Sequence, residues 1–153
     1  MTGFIALCGV LGKLHEINLS DCHLGPASAG ELAKAVSSAD AAVKKINLSG
    51  CPLTGAEKTD GNWYEIDSDM TGFIALCGVL GKLHEINMSD CGLGAASAGE
   101  FAKAVSDADA ALAVLNISGA FTPFTSSLLS PVHPIDQLTL ITGIYYYSPY
   151  LPR

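Results

Sequence analysis

Arginine is almost missing from this chain: Arg153, the last of 153 residues, is the only one, and the basic total is eight against fifteen acidic residues. A net charge of −7 and a pI near 4.8 leave few cations to displace counterions from phosphates, so no nucleic-acid partner is expected. No apolar run is long enough to span a bilayer as a helix, and no membrane partner is expected. The five cysteines, Cys8, Cys22, Cys51, Cys77 and Cys91, are an odd number with no CxxC pair, which points to reduced thiols in a cytoplasmic setting and away from a zinc knuckle. There is no P-loop, no G-x-S-x-G and no H-E-x-x-H, so neither a cofactor nor an enzymatic activity is expected. What the chain does have is apolar mass. A hydrophobic share of 49% and a mean hydropathy of +0.36 suffice for the core of one domain and argue against disorder.

The strongest signal is internal. Residues 1–50 align without gaps on residues 70–119, with 40 of 50 positions identical, so the two copies are expected to share one conformation. Met1 to Leu14 has the look of a signal-peptide apolar region, but it lacks a basic start and recurs as Met70 to Leu83, which makes it a structural element. Within each copy runs a finer pattern, LxxLxLxxCxL, carried by Leu14, Ile17, Leu19, Cys22 and Leu24. It returns at Val43, Ile46, Leu48, Cys51 and Leu53, and again at Leu83, Ile86, Met88, Cys91 and Leu93. A fourth pass keeps Leu112, Leu115 and Ile117 but has Ala120 and Thr122 at the last two positions. Ile17 to Ile46 and Ile86 to Leu115 are each 29 residues apart, whereas Ile46 to Ile86 is 40, so one unit carries about 11 extra residues centred on Thr54 to Asp69.

Alternation at Ile17 and Leu19 suits a strand with one buried face, and Ala29, Leu32, Ala33 and Val36 follow helical spacing. Ser28 with Glu31, and Ser97 with Glu100, have the S-x-x-E form of a capping box at a helix start. Strand alternating with helix predicts parallel pairing in an α/β fold.

In pattern and period, residues 1–120 resemble the leucine-rich-repeat family, in its ribonuclease-inhibitor-like branch. The resemblance implies an α/β solenoid, a horseshoe segment of about four repeats, with parallel strands on the concave side and helices on the convex side. It also implies that Cys22, Cys51 and Cys91 point inward as a buried stack that satisfies loop backbone groups, and that a protein partner is bound on the concave strands. The first and last units of a solenoid normally need polar caps. Neither end has one, since Thr2 to Leu11 reads as an apolar helix with no strand before it. The expectation is therefore a fragment or a start lying further upstream, with end-to-end self-association of the bare ends as a further possibility.

Past Ala120 the composition changes: five of seven prolines and four of five tyrosines fall in residues 121–153, where only Asp136 and Arg153 are charged. The prolines forbid long helices, while Leu138 to Tyr147 suits a strand. This tail is read either as an improvised cap or, preferably, as translation past a splice site that yields an aggregation-prone extension.

On the concave face the candidate partner-binding residues are His15, Glu16 and Asn18, then Lys44, Lys45 and Asn47, then His84, Glu85 and Asn87. Glu16, Lys45 and Glu85 are also placed to neutralise one another across adjacent strands. His15 and His84 are expected to be separated by Lys44 and to be solvated surface histidines, not metal ligands. The insertion offers Trp63 and Tyr64 behind the turn signal Asp60-Gly61-Asn62, either as an exposed anchor or packed over the convex helices. Its acidic residues do not have EF-hand spacing, and Asp67 or Asp69 is expected to cap the helix starting near Thr71. Asn18, Asn47, Asn87 and Asn116 begin N-x-S sequons but lie in expected strands and read as an asparagine ladder.

The leading expectation is a protein-interaction module. The alternatives are a truncated repeat fragment without independent function and an enzyme-inhibitor or GTPase-activating role as in some relatives. The last would need an arginine, and Arg153 lies in the tail.

Overall fold

The computed structural model describes residues 2–38, 40–107, 112–119 and 139–141. The reading of residues 121–153 as a tail therefore lies outside the described residues, apart from 139–141.

The elements in chain order are helix α1 (Thr2–Leu11), strand β1 (Glu16–Asn18), α2 (Pro26–Ser37), β2 (Lys45–Asn47), β3 (Glu57–Thr59), β4 (Asn62–Tyr64), α3 (Thr71–Cys77), a 3-10 turn (Leu80–Lys82), β5 (Glu85–Asn87), α4 (Ala95–Asp107), β6 (Val114–Asn116) and β7 (Thr139–Ile141). Strands β1, β2, β5, β6 and β7 form one sheet in that order, each pairing in parallel with the next. The chain is thus α/β with a parallel sheet, and β3 and β4 make a separate antiparallel hairpin inside the 11-residue excess.

The register explains the core. Ile17, Ile46, Ile86 and Leu115 are Cα partners across four strands and all are buried. Behind them Leu48, Met88 and Ile117 are almost inaccessible, and Leu32, Phe73 and Phe101 close the core from the helices. Ala29, Leu32, Ala33 and Val36 form the buried stripe of α2, as their spacing requires. Pairing continues past the strands, because the amides of Leu19, Leu48 and Met88 donate to the carbonyls of Asn47, Asn87 and Asn116 at 2.8–2.9 Å. After each strand the backbone turns through the left-handed region at Asp21, Gly50, Asp90 and Gly119. A Cβ on Gly50 would stand 2.1 Å from the Asp21 carboxylate, so glycine follows aspartate in this row.

The helix starts differ from the sequence expectation. Helix α2 begins at Pro26, two residues ahead of Ser28, with Gly25 at its N-cap and no side-chain cap bond there. Glu31 and Glu100 are spent on Lys34 and Lys103 one turn on, at 2.6 and 2.7 Å, so neither serves a capping box. In α4 the cap comes from the insertion. Asp67 accepts the amides of Gly94, Ala96 and Ser97 and the Ser97 hydroxyl, while Asp69 accepts the Thr71 amide at the start of α3. Helix α2 instead carries Pro26 in its first turn, and proline lacks one of the amides that a helix start leaves in need of an acceptor.

Residues 1–18 and 70–87 are identical, yet their surroundings are not. Leu7, Val10 and Leu14 are 43, 54 and 48% exposed, whereas their counterparts Leu76, Val79 and Leu83 are 1, 7 and 0% exposed. Helix α2 packs on α3 and supplies that cover. The contact is close: Gly30 approaches Gly72, and a Cβ on Gly72 would fall 1.7 Å from the Pro26 carbonyl oxygen, while one on Gly3 would meet nothing. The same sequence is one continuous helix when uncovered, and a shorter helix plus a 3-10 turn when Val79, Leu80 and Leu83 are drawn inward. Tertiary packing, not local propensity, decides between them.

Candidate functional site

In β1, β2, β5 and β6 the middle residue faces the core, so the flanking residues come to the other face in register. One row is Glu16, Lys45, Glu85 and Val114; the next is Asn18, Asn47, Asn87 and Asn116. Together the first three strands line an open, shallow groove of about 150 Å³. Lys45 Nζ lies 3.1 Å from Glu85 Oε2, with both side chains substantially exposed, so the pair is screened and worth little in stability. Of its two register neighbours Lys45 thus pairs with Glu85 and not with Glu16.

The asparagine row is in register, but its oxygens are not shared between strands. Asn18, Asn47, Asn87 and Asn116 each accept, through Oδ1, the amide two residues on, at 3.0–3.1 Å. The asparagines thus stand in the expected ladder, and each also braces its own turn. The carboxamide nitrogens, with two donors each, are what this row has left for a ligand.

His15, Lys44 and His84 stand one residue before their strands and are exposed. Their side chains are separate from the groove lining, while their carbonyls carry the sheet: His15 O accepts from the amides of Lys44 and Lys45, Lys44 O from those of His84 and Glu85, and His84 O from those of Ala113 and Val114. Lys44 separates the two histidines along the sheet. Among the described residues no group of three or more His, Cys, Asp or Glu is arranged to hold a metal ion.

The cysteines divide. Cys51 and Cys91 are wholly buried, and their thiols donate to the carbonyls of Leu19 and Leu48 at 3.2 and 3.1 Å, each reaching back to the preceding turn. Burial raises both thiol pKa values, so Cys51 and Cys91 keep the proton they donate, and Cys77 is pushed up to about 12 by the same cause. Cys22 is exposed, contrary to the expectation of a buried stack of three. It follows β1, the edge strand, and has no preceding turn to reach.

The insertion is also differently placed. Asp60 and Gly61, both at positive φ, form the two-residue turn joining β3 to β4. Trp63 is half-buried, neither an exposed anchor nor a ring over the helices. Its Nε1 donates to Asp90 Oδ1 at 2.8 Å, Lys58 lies over its ring at 5.1 Å and also pairs with Asp90, and its six-membered ring packs on Gly92. Gly92 replaces His23 of the first copy, and any Cβ there would meet the indole within 3 Å. Thr54 Oγ1 donates to Gly92 O from below, so the hairpin is pinned to the turn after β5. Tyr64 remains exposed at the outer edge. The Asp60-Gly61 pair between polar, strand-compatible residues was the signal for this hairpin, and the His23-to-Gly92 difference marked where it lands.

What fold and face define together is an α/β protein with a parallel sheet whose outer strand face is open and polar. No protein-family model matches the chain, and no curated protein is significantly similar to it. Among the described residues no helix is long and apolar enough to cross a membrane.

Proposed function

We propose that this chain is a segment of leucine-rich-repeat solenoid of the ribonuclease-inhibitor-like type, working in the cytoplasm as a non-catalytic module that binds a protein partner on its outer strand face. The observation that carries the reading is the in-register face itself: carboxylate, ammonium and carboxylate at Glu16, Lys45 and Glu85, beside a row of carboxamides braced at Asn18, Asn47 and Asn87. The carboxamides are held before any ligand arrives, so little ordering entropy opposes binding to them. The two rows also suit an extended polypeptide, whose carbonyls can take the carboxamide N–H groups and whose charged side chains can answer the alternating row. In the LxxLxLxxCxL pattern the repeating positions Leu83, Ile86, Met88, Cys91 and Leu93 are all buried, consistent with the same reading.

The test is affinity capture with the full chain, followed by the Lys44→Glu/Lys45→Glu variant. Both residues are exposed, so the melting temperature should barely move, while a partner held on this face should be lost by tenfold or more in affinity. Unchanged binding would reject the strand face and turn attention to Tyr64.

A further inference from the structure

A different surface is incomplete in the monomer. The packing of α2 on α3 is built from two halves: the α3 side, with Gly72, Leu76, Val79 and Leu83, and the α2 side, with Gly30 against Gly72 and the Ser37 carbonyl accepting from Lys82 at 2.8 Å. Each half recurs in the chain, on α1 and on α4, and among the described residues no helix is seated on the outer side of either. Gly3, Leu7, Val10, Leu14 and Lys13 repeat the α3 side on α1, and they are exposed. Gly99 repeats Gly30 on α4, is exposed, and has open space where its Cβ would be; Val105 is half-buried where its counterpart Val36 is buried.

We propose that a second copy of this chain seats the outer side of its α4 on the α1 face, as α2 seats on α3, so that chains add head to tail. The complementarity is that of a contact the molecule already makes once, with nearly the same residues on both sides. Charge favours it further. Lys13 takes the place of Lys82, whose ammonium sits at the C-terminal end of α2, where a cation is favoured. The outer edge of β6 is paired with β7, so an incoming β1 exchanges one three-residue parallel pairing for another. The net gain is the burial of Leu7, Val10 and Leu14. In the seated state residues 2–11 should adopt the shorter helix and 3-10 turn of their twin. The contact takes the edge of β1 and not the strand face that holds the groove, and Val10 and Gly99 lie outside the groove lining, so variants at these two positions test it apart from the partner-binding reading.

Sedimentation velocity on the full chain tests it, from low micromolar to several hundred micromolar. The mean mass should rise above 15.8 kDa with concentration. Val10→Glu on one face and Gly99→Leu on the other should each remain monomeric with unchanged circular dichroism, because both sites are exposed; Gly3→Leu provides a second variant on the first face. Each single variant retains the half the other lacks, so an equimolar mixture of Val10→Glu and Gly99→Leu should give a dimer that grows no further. A wild-type chain that stays monomeric would overturn the proposal. So would a Gly99→Leu chain that still associates, since that would mean α1 faces pairing with each other, or a mixture that remains monomeric.

Discussion

Gly72→Ala should destabilise the protein by about 3 kcal/mol or more, and Gly3→Ala by nothing, although the two glycines sit in identical sequence. At Gly72 the new methyl would need the space of the Pro26 carbonyl, backbone that cannot rotate away, so α2 and α3 would have to separate. Their separation uncovers Phe73 and Leu76 as well, which is why the cost should exceed that of ordinary overpacking. At Gly3 the methyl meets open space in a helix, where alanine is preferred to glycine by roughly 0.5–1 kcal/mol, so a slight gain is expected. Urea unfolding of the two variants side by side measures the difference. Equal effects would mean that α3 does not lie on α2.

Leu83→Ala should cost about 2–5 kcal/mol, while Leu14→Ala stays within about 0.5 kcal/mol of the parent. Leu83 is wholly buried between the sheet and the helices; Leu14 is about half exposed. The comparison is unusually clean. Residues 1–18 and 70–87 are the same, so the local unfolded chain is the same and denatured-state effects largely cancel. The measurement belongs at low protein concentration, where no second chain covers Leu14. A Leu14→Ala cost matching that of Leu83→Ala would show that α1 is covered within the monomer.

These paired predictions mark what could and could not be read from the residues. The recurrence of one pattern at Ile17, Ile46, Ile86 and Leu115, spaced by 29, 40 and 29 residues, was enough to predict parallel strands, because a period-two flank around one apolar position admits only one buried face. Helix α2 was equally legible from Ala29, Leu32, Ala33 and Val36. Its first residue was not: Ser28 resembles a cap, but Pro26 has a fixed φ suited to the first helical turn and started the helix earlier. Asp67 lies 27 residues before Gly94, and no local pattern announces a cap delivered from that distance. The strand-face residues Glu16, Lys45 and Glu85 were legible as a row, since register follows from the repeat; which pair closes was not, because exposed side chains choose among nearly equal partners. The position of Trp63 depended on a tertiary fit to Gly92, visible in the sequence only as the loss of a histidine side chain between the two copies.

The proposed binding face requires that the short strands be one rigid parallel ladder, and residue-resolved amide hydrogen exchange by NMR tests this most directly. The amides of Leu19, Leu48 and Met88 donate only to carbonyls on the neighbouring strand, across separations in sequence that include the 11-residue excess. They should exchange slowly, at rates set by opening of the whole sheet, while Asp60 and Gly61 at the hairpin turn exchange fast. Exchange at Leu48 and Met88 as fast as at Gly61 would mean that the ladder does not hold, and with it the face that Glu16, Lys45 and Glu85 are said to form.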